Sequence, residues 1–258
     1  MDMIFWFSGT GNSLYAAKKL SAASGSPPLI RMGTADCKQP VGGNGSKVGF
    51  VFPSYYGNLP RAVRTFIKTL EILPDTYIFA VVTGGGIKTG SIRAMRSALK
   101  EKSLDLSYGR GLYMKGNYIV RYNPADPEKM EKTLDKADKR LQKFASDISA
   151  GVQSVKALPV TANNLYKNTE SLDDAFTVND ACTGCGLCEK ICPVSNIRLC
   201  TGQIGTDPEK PEWLRHCEHC MACISWCPVN AIDYGDRTQS RRRYKNPRIT
   251  ADELIRGT

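Results

Sequence analysis

The chain has 258 residues, enough for two globular domains, and 41% of its residues are hydrophobic. The formal net charge of +10 would suit an acidic partner or nucleic acid, but no other feature of the sequence resembles a nucleic-acid-binding motif. The sequence has no apolar run long enough for a membrane span and no N-terminal basic region typical of a signal peptide, so we expect neither.

The first 150 residues alternate between strand-like and helix-like segments. Short apolar runs predict strands at residues 3–7, 29–32, 47–52, 77–83 and 104–114. Amphipathic spacing predicts helices at residues 12–24, 60–70, 87–102 and 127–150. Strands that alternate with helices pair in parallel, so the sequence predicts a three-layer α/β domain over residues 1–150.

The loop after the first predicted strand is rich in small and hydroxyl-bearing residues and leads directly into a helix. It comprises Ser8, Gly9, Thr10, Gly11, Asn12 and Ser13. Backbone N–H groups at such a helix start, together with the hydroxyls, would hold an anion. No lysine follows the glycines and the G-x-G-x-x-G fingerprint is absent, which favours a single phosphate over a triphosphate or a dinucleotide. The alternative is an ordinary strand-to-helix turn.

Two further loops follow strands at the same edge of the predicted sheet. The first contains adjacent tyrosines that could stack on a flat ring. Its residues are Pro53, Tyr55, Tyr56, Gly57 and Asn58. The second could approach the edge of such a ring closely, and it consists of Gly84, Gly85 and Gly86. Because ligands of parallel α/β sheets bind beyond the carboxyl ends of the strands, the three loops predict a site for an aromatic mononucleotide.

Eight of the ten cysteines fall into two copies of the spacing C-x-x-C-x-x-C-x-x-x-C-P. The first copy is Cys182, Cys185, Cys188 and Cys192, and the second is Cys217, Cys220, Cys223 and Cys227. This is the spacing of bacterial-type proteins with two [4Fe–4S] clusters, in which the fourth cysteine of each copy ligates the other cluster. We therefore expect Cys227 to join the first three cysteines of the first copy, and Cys192 to join those of the second.

Zinc sites and disulfide bonds fit the cysteine spacing less well. Zinc prefers separate C-x-x-C pairs, and disulfides suit short secreted chains. Cys37 and Cys200 lie outside the pattern and are expected to be packed or surface thiols. For His216 and His219, beside the ligands of the second copy, we expect supporting or surface roles. Oxygen-sensitive clusters without an export signal indicate a cytoplasmic protein.

The cysteine motifs define a second domain at residues 176–236, joined to the first by a linker at residues 151–175. Residues 237–258 then form a basic tail, in which cationic side chains are crowded: Arg241, Arg242, Arg243, Lys245 and Arg248. Such a cluster could dock an acidic redox partner or nucleic acid. We favour the alternative of a solvated tail with a few structural ion pairs.

Several stretches of the sequence resemble a known family, the flavodoxin–ferredoxin fusion proteins of anaerobic microbes. They are residues 7–13, residues 51–57 with the helix that begins at Pro60, residues 114–119 and residues 243–247. The resemblance implies a flavodoxin-like domain with five parallel strands in the order 2-1-3-4-5, followed by a ferredoxin domain with two [4Fe–4S] clusters. It also implies FMN at the carboxyl edge of the sheet, with its phosphate on residues 8–13, its ring against Tyr55 or Tyr56, and residues 84–86 along the edge of the ring.

Two functions fit these expectations. One is an electron-transfer protein that relays electrons between FMN, the clusters and protein redox partners. The other is a flavin-dependent reductase of a small molecule, with the clusters as the electron inlet. A third hypothesis is a flavodoxin-like domain without flavin that serves for docking. The sequence has no histidine before residue 216 and no convincing acid–base pair or nucleophile, so no catalytic residue is predicted.

Overall fold

The computed structural model describes residues 2–33, 39–156, 172–200 and 210–257. Cys37 and most of the predicted linker lie outside these ranges. The part up to residue 156 consists of β1 (Met3–Trp6), α1 (Asn12–Ala22), β2 (Leu29–Arg31), β3 (Val41–Gly42), β4 (Lys47–Pro53), α2 (Arg61–Thr69), β5 (Ile72–Leu73), β6 (Tyr77–Gly84), α3 (Thr89–Lys100), β7 (Tyr108–Tyr113), α4 (Pro127–Ser149) and β8 (Ser154–Val155). Every predicted strand and helix of this part is present, with ends shifted by a few residues.

Six of these strands form one parallel sheet in the order β2-β1-β4-β6-β7-β8. The predicted flavodoxin-like sheet is thereby confirmed, because its five strands appear in the order 2-1-3-4-5. The sixth strand, β8, adds two residues to the outer edge beside β7 and lies where the sequence predicted a linker. A strand of two residues is too short to show the pattern of apolar residues from which strands are predicted. The strands β3 and β5 pair separately.

The central strands are apolar on both faces, which is why they lie in the middle of a three-layer domain. All four residues of β1 are buried, as are residues 48–52 of β4 and 78–83 of β6. Helix α2 covers one face, and its Phe66 packs on Phe5 with ring centroids 5.0 Å apart. Each such large side chain stabilises the fold by roughly 1.5–3 kcal/mol. The register places the carboxyl ends of β1, β4 and β6 at one edge of the sheet.

The second part is built around the two cysteine motifs. It contains β9 (Phe176–Val178), α5 (Leu187–Ile191), β10 (Ile197–Cys200), β11 (Lys210–Trp213), α6 (Ala222–Trp226), β12 (Ile232–Tyr234) and a 3-10 turn at Gly235–Arg237. The short helices α5 and α6 end at Cys192 and Cys227, each followed by a proline. The strand pairs β9–β12 and β10–β11 are antiparallel. The two cysteine motifs therefore fold as two copies of the same loop-and-helix unit.

Residues 237–257 return to the first domain and end in α7 (Ala251–Arg256). This differs from the solvated tail that we expected, because Tyr244, Asn246, Ile249 and Leu254 are all buried. The expected ion pairs are present, and Arg248 pairs with three carboxylates of α4. Among the helices of the described residues, none combines the length and apolarity needed to cross a bilayer.

Candidate functional site

A cavity of about 310 Å³ lies at the carboxyl edge of the sheet. It brings together residues from all three predicted loops: Ser8, Gly9, Thr10, Asn12, Ser13, Pro53, Tyr55, Tyr56, Gly57, Gly84, Gly85 and Gly86. Two predicted residues, Gly11 and Asn58, do not line it. The cavity lies at this edge because β1, β4 and β6 are parallel neighbours, so their following loops meet there.

The first loop has the geometry of an anion-binding helix start. Gly11 precedes α1 with a φ of 100°, a conformation that favours glycine. Its N–H donates to Ser8 Oγ at 3.1 Å, while Ser13 Oγ lies 2.8 Å from Thr83 Oγ1. Within the part of the chain that the structure describes, the N–H groups of Thr10, Asn12 and Ser13 have no protein acceptor. These donors and the positive end of the α1 dipole are suited to a phosphate.

Gly11 and Asn58 contact other parts of the protein and not the cavity. A side chain at Gly11 would meet Asn246 at 2.9 Å and Ile249 at 3.1 Å, so this residue faces the C-terminal segment. Asn58 closes the second loop, since its side-chain oxygen accepts the N–H of Leu59 at 2.8 Å. Both residues therefore shape their loops from outside the cavity.

The two tyrosines of the second loop differ in exposure. Tyr55 is buried, and its ring packs on Phe7 with a centroid distance of 6.4 Å. Tyr56 is 40% exposed at the mouth of the cavity and has a φ of 51°. Both line the cavity, and Tyr56 is the one whose ring stands at its opening.

The far wall was not predicted in detail. It consists mainly of residues that follow β7, and the full set of additional lining residues is Ser54, Thr83, Ile87, Lys115, Gly116, Asn117, Tyr118, Arg121, Tyr122 and His219. The family resemblance over residues 114–119 was the sequence signal for four of them, Lys115, Gly116, Asn117 and Tyr118. Tyr122, Arg121 and His219 carried no such signal.

His219 reaches the cavity from the second domain. It lies between Cys217 and Cys220, and its Nδ1 is 2.9 Å from Tyr56 Oη and 3.3 Å from Tyr118 Oη. Burial, with a further contribution from Arg237, lowers the pKa of His219 to about 4, so its imidazole is neutral at pH 7. The histidine thus joins both sides of the cavity mouth to a cysteine loop.

The cysteines separate into two groups by burial. Cys192, Cys217, Cys220 and Cys223 are buried and line one small cavity inside the second domain. Cys192 thus lies with the first three cysteines of the second motif, the grouping that the crossed ligand assignment requires. Cys182, Cys188 and Cys227 are only partly buried, and Cys185 is exposed.

The pKa shifts of the thiols follow the same grouping. Burial raises the pKa of Cys220 to about 12, and electrostatic interaction with nearby Cys192 adds to the effect. Burial raises the pKa of Cys188 to about 11, with smaller contributions from Cys185 and Cys182. A thiol with a pKa raised in this way keeps its proton at pH 7, and binding to a strongly positive ligand such as iron would displace that proton.

Backbone N–H groups support the sulfur atoms. Asn196 donates to Cys192 Sγ, His219 to Cys217 Sγ and Ala231 to Cys227 Sγ, each at 3.2 Å. Such bonds stabilise thiolates and tune cluster potentials. In the described residues, no three cysteine, histidine or acidic side chains converge on a point that would hold a single metal ion. Four cysteines instead line one small cavity together: Cys192, Cys217, Cys220 and Cys223.

The two domains pack directly at the cavity. The backbone of Gly9 lies so close to Cys220 that a Cβ on Gly9 would meet the Cys220 carbonyl oxygen at 2.5 Å. Trp226 Nε1 donates to the Gly9 carbonyl at 3.2 Å. The buried Arg31 donates to the Cys192 carbonyl at 3.0 Å. The loop at residues 8–13 is therefore in contact with the cysteine loop of the buried group.

Comparison with known proteins confirms the class of the second domain. Residues 181–232, which contain both cysteine motifs, match the family of 4Fe-4S dicluster domains. The chain therefore combines a flavodoxin-like α/β domain with a ferredoxin-type iron–sulfur domain.

Similarities over the rest of the chain are weaker. No curated protein matches the chain. Two solved structures of candidate flavoproteins are similar in part. One, from Bacteroides uniformis, is 17% identical and has a TM-score of 0.33, with 52% of this chain and 97% of that chain covered. The other, from Bacteroides eggerthii, is 19% identical with a TM-score of 0.34, covering 53% and 96%. At TM-scores of this size, neither similarity bears on the ligand of the cavity.

Proposed function

We propose that the chain is an iron–sulfur flavoprotein that transfers electrons between FMN in the cavity, two [4Fe–4S] clusters and protein redox partners. A flavin exchanges electrons one or two at a time and each cluster one at a time, so a chain that holds both connects one-electron with two-electron partners. The observation that carries the proposal is the contact between the two sites: the loop from Cys217 to Cys220 contributes His219 to the cavity and touches Gly9.

The cavity suits a planar mononucleotide with one phosphate. The free N–H groups at the start of α1 would bind the phosphate, and Tyr56 with Tyr55 would flank the ring. Residues 84–86 would border the edge of the ring. Lys115 and Arg121 add positive charge, and no carboxylate lines the cavity in the described ranges. An anionic ligand such as FMN fits this charge distribution.

The burial of the cysteines supports an order for the electron path. In this proposal, Cys217, Cys220, Cys223 and Cys192 hold the cluster next to the flavin. The other cluster is held by Cys182, Cys185, Cys188 and Cys227. Because Cys185 is exposed, the second group is where a protein partner would exchange electrons, and the buried group would connect it to the cavity.

The proposal is tested first by composition. Protein purified without oxygen should show cluster absorbance, about eight irons per chain, and released flavin that is FMN and not FAD. Iron near four would mean that one motif holds no cluster. Cluster absorbance without any flavin would contradict the flavin assignment and favour a docking role for the first domain.

Cysteine variants test the ligand assignment. Cys220→Ser should lower iron to about four per chain, while Cys200→Ser, outside the motifs, is the matched control and should leave it unchanged. Cys192→Ser should perturb the same cluster as Cys220→Ser in the EPR spectrum of the reduced protein. If Cys192→Ser instead perturbs the same cluster as Cys185→Ser, the crossed assignment is wrong.

The mouth of the cavity favours a second candidate function, the reduction of a small molecule. Tyr56 and Tyr122 line the cavity and are 40% and 42% exposed, so the described part of the second domain leaves this opening accessible. The chemically reduced protein would then reduce a soluble quinone in repeated turnovers. Electron transfer to redox proteins without quinone turnover would favour the carrier.

A further inference from the structure

The segment after the second domain lies behind the loop at residues 8–13. Three of its residues, Tyr244, Asn246 and Ile249, are buried against this loop, and none of them lines the cavity. We define residues 244–249 as the C-terminal clasp. We propose that the clasp positions the phosphate-binding loop, so that flavin affinity depends on residues that do not touch the flavin. This inference rests on the proposed function.

The clasp fixes the side chain of Asn12, the first residue of α1. Asn12 Oδ1 accepts hydrogen bonds from Tyr244 Oη at 2.7 Å and from Asn246 Nδ2 at 3.0 Å. Its Nδ2 donates to the carbonyl of Lys115 at 3.1 Å, on the far wall of the cavity. Both the oxygen and the nitrogen of the Asn12 amide thus take part in joining the clasp, the helix start and the far wall.

The clasp and the second domain also hold the backbone of the loop. The N–H of Asn246 donates to the Thr10 carbonyl at 2.8 Å, and Trp226 donates to the Gly9 carbonyl at 3.2 Å. In a trans peptide, the carbonyl and the following N–H point in opposite directions. These two hydrogen bonds fix the orientation of both peptide planes: the Thr10 N–H, a donor without a described protein acceptor, points away from Trp226, and the Gly11 N–H is held on Ser8 Oγ.

Packing and charge anchor the clasp. Gly11 leaves room for Asn246 and Ile249, which a Cβ would approach to 2.9 and 3.1 Å. Arg248 pairs with Glu131 at 2.6 Å and with two further carboxylates of α4. Lys245 lies over the ring of Trp226 at 5.2 Å. These contacts attach the clasp to both domains at once.

The test compares FMN with riboflavin, which lacks the phosphate. Tyr244→Phe and Asn246→Ala each remove a partly buried hydrogen bond to Asn12, so the Kd for FMN should rise about fivefold to tenfold. The Kd for riboflavin should stay within about twofold. Tyr108→Phe is the matched control: it also removes a buried hydroxyl, bonded to Asp147 at 2.9 Å, but at the opposite end of β7 from the cavity.

A second measurement needs no flavin, so it tests the inference even if the proposed function is wrong. Hydrogen exchange of residues 8–14 in flavin-free protein with intact clusters should be faster in Tyr244→Phe and Asn246→Ala than in Tyr108→Phe. A wild-type protein that binds no flavin would refute the proposed function, and the exchange rates would still decide the clasp. Unchanged exchange, or equal losses of FMN and riboflavin affinity, would overturn the inference.

Discussion

The replacement of His219 by glycine tests why the second cysteine loop departs from the first. The two loops are equivalent, yet Gly184 and Gly186 of the first correspond to His219 and Met221 of the second. All four have positive φ, at 64° and 73° in the first loop and 53° and 64° in the second. A side chain in this conformation costs about 1–2 kcal/mol, so the second loop bears a strain that the first avoids.

The expected magnitudes follow from the two side chains. Glycine would relieve the strain at either position, and its greater freedom in the unfolded chain would cancel about 0.5–1 kcal/mol of that gain. At His219 the loss of contacts with Tyr56 and the neighbouring rings is about 1–2 kcal/mol, which leaves stability nearly unchanged. Met221 is buried in the apolar core of the second domain, where truncation costs about 2–5 kcal/mol.

The assay compares thermal midpoints and flavin binding under anaerobic conditions. His219→Gly should shift the midpoint by no more than about 3 °C, while Met221→Gly, the matched control, should lower it by roughly 3–12 °C. His219→Gly should weaken FMN and riboflavin binding alike, because Tyr56 and Tyr118 lose their common partner. If His219→Gly is as destabilising as Met221→Gly and flavin binding is intact, the histidine serves packing and the reasoning fails.

Three further variants test the domain interface. Gly9→Ala would place a methyl group 2.5 Å from the carbonyl oxygen of Cys220, so the thermal midpoint should fall by about 2–8 °C, whereas Gly86→Ala, with no neighbour within 4 Å, should not change it. Arg31→Met removes a buried cation beside Cys192, a proposed cluster ligand, which should lower the potential of the cluster there by on the order of tens of millivolts in an EPR-monitored titration. Arg31→Lys keeps the charge and should keep most of the potential. Arg248→Gln should cost about 1 kcal/mol in urea unfolding, and less at high salt because its ion pairs are partly exposed. Equal costs at low and high salt would mean that packing, not charge, holds this arginine.

The sequence alone was sufficient to predict the sheet and the three loops that meet at the cavity. Continuous apolar runs such as residues 78–82 mark strands buried on both faces, and parallel strands bring their following loops to one edge. The residues of the loops at 8–13, 53–58 and 84–86 could therefore be placed together without knowledge of any contact. The two exceptions, Gly11 and Asn58, have backbone roles that residue type alone does not reveal.

The contribution of His219 to the cavity depends on how the second domain docks, and local sequence does not encode that. His219 meets Tyr56 across a long stretch of chain, and the pairing follows from the fit of the whole interface. The basic C-terminal segment was misjudged for the same reason. Its arginines bind acidic residues of packed elements, since Arg243 pairs with Asp233 of β12 and Arg248 with carboxylates of α4.

The contact between the clasp and the loop at residues 8–13 has a consequence for folding during translation. Residues 8–13 leave the ribosome long before residues 244–249, which pack behind them. The α/β domain can begin to fold during translation, whereas Asn12 gains its partners Tyr244 and Asn246 only after the whole iron–sulfur domain has emerged. Under the proposed function, strong flavin binding would then wait until residues 244–249 have emerged, and a ribosome stalled within the second domain would hold a folded sheet that binds flavin weakly.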